Sequence, residues 1–113
     1  MKLAVIFPGI GYHTDKPLLY YGKKLAASYG YEIVKLSYQH FPEKVKDSKE
    51  KMQQSVEIAL EQTEEKLKKI KFSQYEDILF ISKSIGTAVA ATFAKNHRIP
   101  AHHIFYTPVE PSF

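Results

Sequence analysis

Apolar residues return along this chain at two spacings that take turns. Short unbroken runs such as Leu3–Phe7 and Ile78–Ile81 alternate with longer stretches where apolar positions recur every three or four residues. An unbroken run bounded by turn residues fits a strand buried on both faces, and the wider spacing fits an amphipathic helix. The pattern predicts strands at about 2–7, 31–36, 77–81 and 102–107, with helices at about 17–29, 47–70 and from Ser84 to about Asn96. Asp15 and Pro17 stand where an N-cap and an early helical proline belong, and Gly30 is a C-terminal stop. Leu18, Gly22, Leu25, Ala26 and Tyr29 form the inward stripe expected of the first helix.

The long second helix opens on Asp47 and Glu50, spaced like a capping box. Met52, Val56, Ala59, Leu60, Thr63, Leu67 and Ile70 make its apolar face, and Glu64–Lys68 and Glu65–Lys69 are i,i+4 pairs on the wet face. In the third helix Thr87, Ala88, Ala91 and Ala94 are small enough for close packing on a sheet. Strands that alternate with helices join by right-handed parallel crossovers. The expected fold is therefore α/β, a three-layer αβα arrangement around a four-stranded parallel sheet of order 2-1-3-4. Ligands of such sheets bind at the carboxyl ends of the strands, where the strand order reverses. That point falls between the first and third strands, where the loop 8–16 meets Ser84.

Composition narrows the class. The 113 residues fit a single domain, without internal repeat or linker, and are 44% hydrophobic and 25% charged, as in ordinary globular chains. There is no cysteine, which removes disulfides and thiolate zinc sites and fits a cytoplasmic location. The apolar start Leu3–Phe7 is too short for a membrane span or signal segment. The net charge of +4 rests almost entirely on lysine, Arg98 being the single arginine. Arginine is the favoured reader of phosphates and bases, and the run Lys66–Lys71 lies at a helix end where cations suit the macrodipole. Neither nucleic acid nor a membrane is expected as a partner.

The chemistry concentrates around Ser84. The segment Asp77-Ile-Leu-Phe-Ile-Ser-Lys-Ser-Ile-Gly-Thr reads as a strand, an abrupt turn and a helix, with Ser82-x-Ser84-x-Gly86 at the turn. Such a turn exposes a serine hydroxyl at the tip of a parallel sheet and aims the next backbone N–H, that of Ile85, at a developing oxyanion. The tight bend needs small residues two before and two after, here Ser82 and Gly86. Ser82-Lys83-Ser84 can also be read as a polar loop whose serines cap the helix.

With the first strand running into Pro8-Gly9-Ile10-Gly11-Tyr12-His13, this arrangement resembles the alpha/beta-hydrolase superfamily. The resemblance implies that Ile10 or Gly11 lends a second oxyanion N–H, that Ser84 is the nucleophile, and that Glu110 is the candidate acid. It departs from the family in carrying Ser82 where glycine is usual, and in having no histidine after Glu110. The chain is therefore expected to be a truncated alpha/beta-hydrolase core whose catalytic histidine lies outside it. The missing strands would leave the last strand as an exposed sheet edge that favours a homodimer.

Other motifs add less. Gly9-x-Gly11 fails as a dinucleotide fingerprint because position 14 is Thr and no acidic residue follows the second strand; no P-loop is present. His13 can serve as an alternative base or remain a solvated loop residue, and Lys83 can attract an anionic substrate or remain a solvated charge. Tyr12 is a possible pocket wall. His102 and His103 are adjacent on a strand and point to opposite faces, and His40 and His97 have no carboxylate partner in sequence. No metal site and no cofactor is expected. Two functions stay open: a serine hydrolase acting on a small-molecule acyl substrate, or a non-catalytic binding or scaffold domain with an anion site at the Ser82–Ser84 helix N-terminus.

Overall fold

The strand β1 (Lys2–Phe7) occupies the centre of a parallel sheet, with β2 (Tyr31–Lys35) on one side and β3 (Asp77–Lys83) on the other. β4 (His102–Tyr106) pairs in parallel with β3, giving the order β2-β1-β3-β4 expected from the sequence. The computed structural model describes residues 1–9, 17–38, 49–83 and 85–106. Three helices make the connections: α1 (Pro17–Ser28), α2 (Lys49–Leu67) and α3 (Ile85–Asn96). Crossover handedness puts α1 on one face of the sheet and α2 with α3 on the other. Side-chain packing agrees. Leu3, Val5, Phe7 and Phe80 pack with Ala59, Leu67, Val89 and Phe93, whereas Ala4, Ile6 and Ile81 pack with Leu19 and Ala26 of α1.

This two-sided cover explains why Leu3 to Phe7 are all fully buried and why β1 reads as an unbroken apolar run. Phe80 anchors the larger core, its ring lying 4.9 Å from that of Phe7 and 6.4 Å from those of Phe72 and Phe93. Phe72 enters from a short 3-10 turn (Phe72–Gln74) that the apolar spacing does not predict. Two buried hydroxyls on α2 are satisfied within the helix: Ser55 donates to the Lys51 carbonyl at 2.7 Å and Thr63 to that of Ala59 at 2.8 Å. Gly30 ends α1 at φ 87°, the left-handed conformation glycine adopts freely. Among the described residues no helix is long and apolar enough to cross a membrane.

Several expectations need correction. Leu25 and Tyr29, assigned to the inward stripe of α1, are 58% and 66% exposed. The sheet meets α1 through Leu19 and Ala26, and the apolar arc is wider than that contact. On α3 the small residues Ala88 and Ala91 face outward, and burial is carried by Ile85, Gly86, Val89, Ala90, Phe93 and Ala94. α2 ends at Leu67, three residues early, where Ile70 N–H closes a turn onto the Leu67 carbonyl. β3 runs two residues longer than its apolar run, because pairing with Phe7 and Tyr106 holds Ser82 and Lys83 in the ladder. Lys68, just past α2, bonds Glu65 at 2.8 Å, and Glu64 receives His97, just past the end of α3, at 2.7 Å. His97 therefore has a carboxylate partner, supplied across a helix pair. The capping residues Asp15 and Asp47 lie outside the described residues.

Candidate functional site

The carboxyl ends of β1 and β3 lie side by side, with Phe7 opposite Ser82. β3 ends at Lys83 and α3 begins at Ile85, so one sequence position separates strand from helix. Ser82 and Lys83 belong to the strand and not to a polar loop, while Ser84 as a helix cap lies outside the described residues. The Ser82 side chain is fully buried on the α3 side, and its Oγ donates to Thr87 Oγ1 at 3.4 Å. The buried serine is tolerated because a helix hydroxyl accepts its proton.

Gly86 is the tightest point of the arrangement. A Cβ on it would lie 2.5 Å from the Phe7 carbonyl oxygen and 2.6 Å from that of Pro8. The first turn of α3 is thus pressed against backbone at the exit of β1, an approach open only to glycine. Two consequences follow. Ile85, the first residue of α3, has a backbone N–H with no acceptor inside the helix. That helix start also abuts the point where the chain leaves β1 toward Gly9, itself buried. The site residues expected on α3 and on the Gly-rich loop therefore stem from adjoining backbone.

Of the candidate residues, Ile85 and Lys83 are described. The Ile85 side chain is buried, and Lys83 is half-buried at the end of β3, opposite Tyr106. Ser84, Ile10, Gly11, Tyr12, His13 and Glu110 lie outside the described residues, as does His40.

Sequence reasoning set His103 aside as a metal ligand without reading its burial: it is half-buried on β4 and pairs in register with Phe80. Its ring lies 5.6 Å from that of Phe80 and stacks at 5.2 Å on that of Phe105. Nδ1 is buried without a hydrogen-bond partner. Burial, helped by the neighbouring His102, lowers its pKa from the ordinary imidazole value. His102 points to the other face, 3.7 Å from Asp77, as strand alternation requires. Just after β2, Tyr38 is half-buried with its hydroxyl 3.3 Å from Thr63 Oγ1, and desolvation raises its pKa.

The opposite ends of the strands are tied by polar contacts. Tyr31 donates to Asp77 at 2.7 Å, Tyr75 donates to Glu32 at 2.5 Å, and the amino terminus meets Glu76 at 3.0 Å. Among the described residues no three His, Asp or Glu side chains converge to hold a metal ion. Compared with known proteins, the chain matches no family model, no curated protein and no solved structure.

Proposed function

We propose that this chain belongs to a serine hydrolase of the alpha/beta-hydrolase kind, acting on a carbonyl ester, thioester or amide. The observation that carries the reading is Gly86, whose closeness to the Phe7 and Pro8 carbonyls joins the Ser84 turn to the Gly-rich exit of β1. In this reading Ser84 Oγ attacks the carbonyl carbon and its proton passes to a histidine. Within this chain His13 is the candidate base, and Glu110 is the acid that orients the imidazole. The tetrahedral oxyanion is held by the N–H of Ile85 and that of Ile10 or Gly11. Collapse expels the alcohol, thiol or amine, which takes up the proton, and leaves an acyl-enzyme for water to cleave. Tyr12 and Lys83 contact the substrate. The protein works in the cytoplasm, as a homodimer.

The alternative, a non-catalytic anion site at the start of α3, is weakened by Ser82, whose hydroxyl is turned inward to Thr87. The two readings separate on activated esters. Turnover above the buffer rate that falls to background in Ser84→Ala supports the hydrolase. Turnover unchanged in Ser84→Ala contradicts it.

A further inference from the structure

We propose that a second copy of this chain docks on the α1 face, the α1 of each copy lying over β3 and β4 of the other. On that face α1 is the single helix among the described residues, and it packs mainly over β2, β1 and the near side of β3. Beside it runs a groove of about 370 Å³, floored by Leu79, Ile81 and Ile104 and walled by Gly22, Leu25 and Tyr29 of α1. It has room for a row of large side chains, not for a helix backbone.

The same helix supplies such a row. Tyr21, Leu25 and Tyr29 follow one another at i, i+4 and i+8, so they stack along one flank of the helix. They are 69%, 58% and 66% exposed. A ridge and a groove thus lie side by side on one face, which is the self-complementary pattern a two-fold axis satisfies, each ridge entering the other copy's groove. The charges of α1 keep clear of this contact: Lys23 and Lys24 are gathered over the Tyr20 ring at 5.0 and 5.4 Å. Lys2 stands at the strand-start end of the groove, its Nζ 5.5 Å from the Tyr31 ring centroid.

Size decides in favour of a macromolecular partner. Of the six large apolar residues exposed among the described positions, Tyr21, Leu25, Tyr29 and Ile104 are on this face; Met1 and Phe105 are not part of it. Together these four expose on the order of 500 Å² of side chain, at the upper end of the largest apolar patch on a monomer. Because about 60% of an interface is apolar, a contact centred on them covers about 800 Å² per copy, the size of a stable complex. The sequence reading put the second copy at the β4 edge. The apolar surface is weighted instead toward the flank of α1.

The test is the mass in solution of the wild-type chain and two variants, by sedimentation across a wide concentration range. The wild type should be a dimer. Leu25→Glu should dissociate about a hundredfold more readily, since it sets a charge in the middle of a desolvated contact, and its melting curve should match the wild type's at concentrations where both are monomers, because the position is exposed in the single chain. Phe105→Lys, a charge on the β4 edge pointing to the opposite face, should remain dimeric. Since the chain has no cysteine, Leu25→Cys offers a second reading, in which oxidation should link two copies while Phe105→Cys stays unlinked. A wild-type monomer throughout, or a dimer lost in Phe105→Lys and kept in Leu25→Glu, would overturn the proposal.

Discussion

His103 carries the clearest electrostatic signature at the residue scale. Its imidazole lies between Phe80 and Phe105, and burial makes the charged form costly. A base whose pKa is lower folded than unfolded binds more protons when unfolded as the pH drops. Its contribution to stability is therefore complete above the ordinary value near ~6.5 and is lost as the pH falls through the lowered folded value. Urea unfolding of the wild type between neutral pH and pH ~5 should show a steeper loss of stability than the same titration of His103→Phe. The other acid-sensitive groups are common to both proteins, so the difference isolates this ring. Parallel titrations would contradict the assignment. Neither the burial of this ring nor the Glu64–His97 pair could be read from the sequence. Both depend on residues brought together from distant parts of the chain, 33 positions apart in the second case.

At the scale of elements, the seating of α3 on β1 turns on Gly86. Replacing it with alanine drives a methyl group into two backbone carbonyls, which cannot swing aside as a side chain can. Gly86→Ala should cost about 2–3 kcal/mol in a urea melt, toward the upper part of the range for overpacking, as helix and strand are forced apart. A loss under about half a kcal/mol would mean that α3 is free to shift. The need for small residues around Ser84 was legible in the sequence, and so were the strands, because a strand buried on both faces must be apolar throughout. The expected strand order was met as well, and crossover handedness then fixed which face each helix covers. What periodicity could not give was coverage. It marks which arc of α1 is apolar, not how much of that arc the sheet reaches, and so Leu25 and Tyr29 were misassigned inward. The polar end of β3 was missed for a similar reason: Ser82 and Lys83 are strand because of their neighbours Phe7 and Tyr106.

The whole molecule sets two surfaces apart. Reversal of strand order between β1 and β3 gathers the Ser84 turn and the exit of β1 at one end of the sheet. Among the described residues a single helix covers one face and leaves an apolar flank along the side. The chemistry and the proposed contact between copies thus make separate demands on the fold. Loss of the dimer in Leu25→Glu should leave the environment of Ser84 unchanged. The central claim, that Ser84 is an activated nucleophile, is most directly tested by incubating the chain with a serine-reactive phosphonate and mapping the adduct by peptide mass spectrometry. The account predicts one adduct, on Ser84, absent from Ser84→Ala. An adduct on another residue, or one that persists in Ser84→Ala, would contradict it.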